Sequence, residues 1–311
     1  MSVGAVLLVG CVVGACVLGG CGSQSKVEAT SLLGQALERP TFSPDEEREL
    51  NANLAAALRA ARRDRTSEDA AIWHGRRLAY LGRYQEAIEV YTKALGKHPE
   101  SYKLRRHRGH RYITTRQFDL AKADLREAAR LAQGHEDEVE PDGAPNAMNI
   151  PRSTVKFNIY YHLGLAEQLS GDFLGAVNTL QECLKVSKVN DDLLCANLHW
   201  LYMSLRRLGR DAEAEALLAD VNPYMEVFEN GDYQLLLLMY KHEVPLAEVI
   251  ERANEAGGVA ASTLHYGVGN WHLCNGEPVR AQIMFHAAVS QESWAAFGYI
   301  AAEAEQARAR R

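Results

Sequence analysis

The sequence lacks the short motifs that carry common catalytic chemistry. It contains no GxSxG nucleophile motif, no HExxH zinc motif and no phosphate-binding loop. Its six cysteines form no CxxC pair, which argues against a zinc ribbon and a thioredoxin-type redox motif. Paired carboxylates occur only in runs typical of a solvated surface. The sequence therefore favours a protein that is not an enzyme, uses no cofactor and holds no metal.

Positively charged residues are also fewer than negatively charged ones. The 34 Lys and Arg residues stand against 40 Asp and Glu, which gives a formal net charge of −6. A dedicated nucleic-acid-binding protein is usually basic, so no nucleic-acid partner is expected. Charged residues make up 24% of the chain and hydrophobic residues 47%, values typical of a folded globular protein rather than a disordered one.

No charged residue occurs among the first twenty residues, which are almost all apolar or glycine. The run LGGCGSQSK at the end of this stretch resembles the lipobox of bacterial lipoproteins, in which the cysteine at the cleavage point is diacylated and becomes the new amino terminus. The resemblance implies that residues 1–20 are a lipoprotein signal peptide and that Cys21 carries the lipid. The polar run that follows predicts a flexible tether over residues 21–42.

Two other cysteines end shorter apolar runs of the same kind, Cys11 after LVG and Cys16 after VGA, so either is an alternative processing site. An uncleaved anchor and ordinary secretion are alternatives to lipidation. In each case the body of the protein lies outside the cytoplasm. The lipobox resemblance implies a protein of the bacterial cell envelope that faces the periplasm, and Gly22 after the cysteine favours the outer membrane over the inner one.

Helical pairs recur along the rest of the chain. Residues 70–101 form two amphipathic segments that meet at LGRY, and the second segment ends before a proline. The same pattern of glycine, alanine and large residues returns thirty-four positions later, and it strongly resembles the tetratricopeptide repeat (TPR), a helix–turn–helix unit. The matching residues of the two units are Gly75, Gly82, Tyr84, Ala87, Tyr91, Ala94 and Pro99, and then Gly109, Phe118, Ala121, Leu125 and Ala128.

Further units extend the resemblance over most of the chain. Because one helical pair cannot bury its apolar stripe alone, neighbouring pairs must stack. The sequence thus predicts an all-α fold, and the resemblance implies a TPR-type right-handed superhelical solenoid over residues 43–311. An insertion loop at residues 132–154 interrupts it, and a final helix is expected to cap its end. The clear repeats lie near residues 68–101, 102–131, 157–188, 195–222 and 262–291.

In TPR superhelices the first helix of each repeat lines the concave surface. The resemblance therefore implies a groove rich in His, Arg and aromatic residues, a composition suited to the carboxylates of an extended peptide. The expected partner is accordingly a peptide or protein. Carried over by register, the residues of this peptide-binding groove are Arg76, Tyr80, Lys103, Arg106, His107, His110, Asn158, Tyr161, His162, His199, Trp200, Arg206, Tyr266 and Asn270.

The stretch from Lys103 to Arg116 holds six Lys and Arg residues and two His residues within fourteen positions. Its place on the first helix of the second repeat makes it one wall of the expected groove. Two simpler interpretations compete with this one, because basic runs are usually solvated and because an acidic run, HEDEVEPD, follows in the insertion loop and could fold back on it. A metal site at His107 and His110 is disfavoured because the sequence places no third ligand nearby.

The function expected from these features is that of a lipid-anchored TPR adaptor, a non-catalytic scaffold that binds its partner in the concave groove. One alternative is an accessory or regulatory subunit of an envelope enzyme or transport complex, with specificity supplied by the loop at residues 132–154. The other is an enzyme that uses the His- and Arg-rich groove, since a fold by itself never excludes catalysis.

Overall fold

The computed structural model describes residues 27–143, 146 and 148–310, so the predicted signal peptide and Cys21 lie outside the described residues. The described part contains fourteen helices and one two-stranded hairpin, and it includes no helix long and apolar enough to cross a bilayer. The elements are β1 Val27–Thr30, β2 Ala36–Glu38, α1 Pro44–Arg63, α2 Glu68–Tyr80, α3 Tyr84–Leu95, α4 Tyr102–Thr114, α5 Phe118–Leu131, α6 Val155–Ser170, α7 Phe173–Ser187, α8 Asp191–Arg207, α9 Asp211–Leu217, α10 Gly231–Tyr240, α11 Leu246–Glu255, α12 Gly258–Cys274, α13 Pro278–Val289 and α14 Phe297–Ala309.

Paired helices approach each other closely at a glycine of the first helix. In the α2–α3 pair, a Cβ atom on Gly75 would lie 2.3 Å from the ring of Tyr91, so a larger residue would force the helices apart. Three further pairs repeat this contact between a glycine and the residue sixteen positions later. These are Gly109 with Leu125, Gly164 with Leu180, and Gly269 with Phe285. The recurrence means that these four units pack in one common register.

The helical pairs stack so that their first helices contact one another. Helix α4 packs against α2 and α6, α6 packs against α8, and α12 packs against α8 and α10. The first helices therefore form the inner face of the stack, and the second helices carry small residues into the contacts. The alanines of these second helices are fully buried at positions 87, 121, 176, 214 and 281. The all-α prediction is confirmed, and the fold is a helical-repeat solenoid.

Helix α1 packs against α2 and so covers the first repeat. A capping box begins this helix: the Ser43 side chain accepts a hydrogen bond from the backbone N–H of Glu46, and the Glu46 side chain accepts one from the backbone N–H of Ser43. Pro44 occupies the first helical position, where its missing N–H leaves no helical hydrogen bond unmade. The local sequence thus determines where α1 begins.

The hairpin corrects the prediction of a flexible tether over residues 21–42, at least for its described part from residue 27 onward. Strands β1 and β2 pair antiparallel. The carboxylate of Glu28, which is 2% exposed, accepts hydrogen bonds from Arg39 Nε at 2.7 Å and from the backbone N–H of Gln85 at 2.9 Å. Leu37 joins the apolar core of the first repeat. Because these contacts bury both residues against the solenoid, the segment is part of the folded body.

The carboxy-terminal helix lies on the inner face of the solenoid and does more than cap its end. Helix α14 packs against α12 and α13 and also against α6. Just before it, the Trp294 ring meets the Tyr84 ring edge-on with 5.3 Å between centroids, and Trp294 Nε1 donates a hydrogen bond to the Glu38 carbonyl. Segments from both ends of the described chain therefore meet, and the stack is closed.

A buried ion pair secures this closure. Arg116 Nη2 lies 2.7 Å from the Glu303 carboxylate of α14, and their side chains are 3% and 1% exposed. Glu303 also accepts a hydrogen bond from the backbone N–H of Leu32 in the hairpin. The Arg116 guanidinium further donates to the Trp294 carbonyl. One carboxylate thus joins the hairpin, the second repeat and the final helix.

Replacing Glu303 with Gln should destabilise the protein by about 3 kcal/mol, because it leaves the Arg116 charge buried without its carboxylate. The free energy of unfolding in urea measures the loss. The matched control is Glu213→Gln, which removes an exposed partner of Arg210 and should leave the unfolding midpoint unchanged. Equal midpoints for wild type and Glu303→Gln would contradict a closure that depends on this pair.

Candidate binding site on the inner face

All fourteen predicted groove residues lie on first helices, namely α2, α4, α6, α8 and α12. Their surroundings differ along the solenoid. Toward the carboxyl end, most of them pack into the core. In the middle they meet α14, and toward the amino end they meet the insertion loop.

The aromatic residues of the predicted groove pack against one another. Trp200 Nε1 donates to the Tyr161 hydroxyl at 2.9 Å, and the Tyr161 hydroxyl lies 3.3 Å from that of Tyr233 on α10. The rings of Trp200 and Tyr266 stack with 5.5 Å between centroids, and each of these two side chains is 1% exposed. The prediction that Tyr161, Trp200 and Tyr266 line an accessible groove is therefore wrong, because the first helices close directly on these rings.

The remaining predicted residues of α8 and α12 do not form one site either. His199 is fully buried beside Tyr240, and burial lowers its pKa to about 3. Asn270 is also buried and donates to the Cys274 sulfur. Arg206 lies apart, on a cavity of about 390 Å³, where it donates hydrogen bonds to Asp211 and Asn275. The structure does not bring Arg206 together with the predicted groove residues of α2 and α4.

Helix α14 occupies the middle of the predicted groove. The Phe297 ring lies 5.3 Å from the His110 ring and 5.6 Å from the His162 ring, centroid to centroid. The two histidine rings are themselves 4.3 Å apart. Burial and the nearby Arg111 guanidinium hold the pKa of both histidines well below the ordinary value. These residues meet the protein's own aromatic side chain where a ligand was expected.

Residues from three successive first helices converge on one carboxylate of the insertion loop. Glu140, which is 8% exposed, lies 3.1 Å from Arg106 Nε and 3.8 Å from Arg76 Nη1. The Asn158 amide donates to the same carboxylate at 2.9 Å. Arg76 also donates to the Pro141 carbonyl at 2.7 Å. Three of the predicted groove residues thus contact one carboxylate, which belongs to Glu140 of the chain itself.

The loop segment that carries this carboxylate, residues 138–141, is extended and held at several points. Glu138 lies 2.6 Å from Lys103 Nζ. The backbone N–H of Glu140 donates to the Ser153 carbonyl, and the backbone N–H of Val155 donates to the Glu138 carbonyl. Residues 153–155 thus present a short edge against which the segment pairs in the manner of an added strand.

The electrostatics of this region favour an anion. Burial lowers the pKa of Arg106, as do the neighbouring charges of Arg76 and Arg111, while Glu140 opposes the shift. Burial and the same arginines hold the pKa of His107 well below its usual range. Its Nδ1 lies 2.9 Å from Arg106 Nη1, so a neutral ring can accept that N–H. Several cationic groups therefore face a region whose contacting carboxylate is Glu140.

Of the two competing interpretations of the basic stretch, the contact with the acidic loop is present, whereas the solvated basic face is not, because the arginines of the stretch are largely buried. Arg108 forms a two-pronged ion pair with Asp124 of the adjacent helix α5, at 2.6 and 2.7 Å, and Arg105 contacts the same carboxylate. These arginines contribute to packing between the two helices of one repeat. Lys103 and Arg106 meet the acidic loop instead. One helix thus has a structural side and a side that binds the carboxylates of the loop.

Several important residues escaped the prediction from sequence. The sequence indicated that the acidic run containing Glu140 could contact the basic stretch at residues 103–116. It did not indicate which basic residues Glu140 would contact. Arg111 belongs to the basic run and now lies with its guanidinium 5.4 Å from the centre of the Tyr84 ring. Nothing in the sequence indicated that Trp294 and Phe297 would contact the inner face, because the final helix resembles an ordinary terminal cap.

Within the part of the chain that the structure describes, no cluster of three or more metal-ligating side chains occurs.

We expect the protein to lose stability in mild acid because of three histidines on the inner face, of which His107 and His162 are buried and His110 is half-buried. His107, His110 and His162 have folded pKa values below the unfolded value near 6.5, so the unfolded chain takes up protons that the folded chain does not. Their stabilising effect is full well above pH 6.5 and declines as the pH falls through and below this value, by at most about 1.4 kcal/mol per pH unit for each histidine.

Unfolding midpoints measured between pH 7.5 and 5 test this expectation. His162→Gln should reduce the slope of stability against pH, whereas His286→Gln, which alters an exposed residue of α13, should leave the slope as in the wild type. A midpoint that does not change over this range would contradict the burial of neutral histidines on the inner face.

Comparison with protein families and solved structures bears on the fold. Residues 72–96 match the tetratricopeptide repeat family, and the search of curated proteins gives no significant match. A structure of YrrB, described as a TPR protein with an unusual peptide-binding site, is 16% identical, covers 76% of this chain and 91% of its own, and has a TM-score of 0.43. A tetratricopeptide repeat protein from Parabacteroides merdae is also 16% identical, covers 79% and 88%, and has a TM-score of 0.48. Residues 72–96 are thus similar to one tetratricopeptide repeat, and they lie within an all-α helical-repeat solenoid.

Proposed function

We propose that the protein is a non-catalytic interaction scaffold that binds a peptide or protein partner at the inner face of its first three repeats. The observation that carries this proposal is the convergence of Arg76, Arg106 and Asn158 on a single carboxylate. The two arginines contact this carboxylate as ion pairs and Asn158 donates a hydrogen bond to it, a combination of groups suited to holding a carboxylate. An extended segment that places one acidic side chain here is the ligand that such an arrangement accommodates.

The composition of the site supports binding over catalysis. The histidines that an enzyme would need as acid–base groups are buried, and His107 stacks on the Tyr91 ring at 5.8 Å between centroids. A general base must instead reach the proton that it abstracts from a substrate. The alternative of an accessory subunit uses the same binding chemistry and differs only in whether the partner is an enzyme or a transporter.

We also propose that Cys21 anchors the protein to the envelope through a lipid, facing the periplasm from the outer membrane. The first described strand, β1, begins at Val27. Six residues reach at most about 20 Å when fully extended, so a lipid at Cys21 would hold the hairpin close to the bilayer surface. The proposal thus places the hairpin and the neighbouring end of α14 toward the membrane.

Replacing Cys21 with Ser should abolish incorporation of a labelled fatty acid and release the protein from the membrane fraction or leave an uncleaved precursor. Cys11→Ser and Cys16→Ser are the matched controls and should keep both the label and the membrane association. If the label persists in Cys21→Ser and disappears in one of the controls, that cysteine is the processed residue. A wild-type protein without label would refute lipid anchoring.

Photo-crosslinking in cells tests the binding face. A photoreactive residue at Asp69, an exposed residue of α2 on the cavity beside the Glu140 site, should capture a partner, whereas one at Lys93 on the outward helix α3 should not. The captured partner also separates the scaffold from the accessory subunit. Capture from Lys93 alone would place the binding surface on the outside of the solenoid.

A further inference from the structure

The insertion loop has the features of a bound ligand rather than of a connection between repeats. A turn of ordinary length between two repeats needs only a few residues, whereas α5 ends at Leu131 and α6 begins at Val155. Within this long connection, residues 138–141 run extended along the inner face. They contact α2 through Arg76 and α6 through Asn158. The segment thus crosses three repeats in the way that an extended peptide would.

The contacts of this segment depend on two acidic side chains with one residue between them. Glu138 meets Lys103, and Glu140 meets Arg106, Arg76 and Asn158. The intervening Val139 is 58% exposed, so it contributes little to the attachment. The backbone contributes hydrogen bonds along residues 153–155. Recognition therefore rests on the spacing Glu-X-Glu and on an extended backbone.

The segment fills its site incompletely. A cavity of about 200 Å³ lies between it and the first helices, bordered by Ile72, Trp73, Val139 and Pro141. Most of the attachment is polar, and the one deeply buried group of the segment is the Glu140 carboxylate. A different segment with the same acidic spacing and a larger apolar side chain can satisfy the same charges and occupy more of this space.

We propose that residues 138–141 are an intramolecular ligand, and that an extended acidic segment of a partner protein with Glu-X-Glu spacing takes their place on Lys103, Arg106, Arg76 and Asn158. This inference rests on the proposed scaffold function and specifies its ligand. The tethered loop competes with a free peptide at an effective concentration in the millimolar range, so the wild-type protein binds such a segment weakly until the loop is displaced.

The experiment supplies the loop as a separate peptide. Residues 136–143 are replaced by a Gly/Ser linker of equal length in the full chain, and a capped peptide with the sequence of residues 135–143, HEDEVEPDG, is titrated by calorimetry. The peptide should bind the linker protein at least tenfold more tightly than the wild type. The same peptide with Glu140→Gln should lose at least tenfold in affinity, and Arg106→Gln in the linker protein should abolish binding. Lys93→Gln is the matched control, since it removes an exposed charge on α3 and should leave the affinity unchanged.

If the linker protein does not retain wild-type helix content, the full chain with Glu140→Gln replaces it, because this single change releases the buried contact of the loop. The peptide should then bind Glu140→Gln at least tenfold more tightly than wild type. Equal affinity for the two proteins, or binding that is the same with and without the Glu140 carboxylate of the peptide, overturns the inference. A partner that still crosslinks in cells after such a result would leave the scaffold function standing and place its ligand elsewhere.

Discussion

Two buried arginines on the inner face of this solenoid meet carboxylates from segments outside the repeats, and these two contacts determine how the chain closes on itself. Arg106 of the second repeat is met by Glu140 of the insertion loop, and Arg116 is met by Glu303 of the final helix. An unpaired buried charge costs several kcal/mol, so removal of either carboxylate is expected to destabilise the closed form until another anion or water reaches the arginine. Both carboxylates come from segments outside the repeats, which are therefore part of the fold.

The two closing segments differ in how firmly they are attached. Helix α14 buries apolar side chains such as Ile300 along its length and contributes to the main core. Segment 138–141 is attached mainly through the carboxylates of Glu138 and Glu140 and short backbone pairing. Apolar burial is lost when a helix leaves its site, whereas a carboxylate can be replaced by another carboxylate of the same geometry. The loop is therefore the exchangeable occupant and α14 the permanent one.

The prediction from sequence succeeded for the repeats and largely failed for the environment of the site. It assigned the groove residues to first helices, which is where they lie, because helical register is a local property. It also expected an open groove, yet Trp200 and Tyr266 stack in the core and Phe297 covers His110. The residue types suited to binding a peptide are the same types that pack well against each other, so composition could not separate the two outcomes.

The sequence by itself determined the helical pairs and their stacking. A glycine and a large residue sixteen positions later, as in Gly75 and Tyr91, encode a contact between helices that are adjacent in the chain, and the pattern repeats. Only the tertiary structure decided what covers the inner face. The contact between Arg116 and Glu303 joins residues 187 positions apart. No periodicity spans that distance, because such a contact depends on the summed curvature of all the repeats between its ends, which no local pattern encodes.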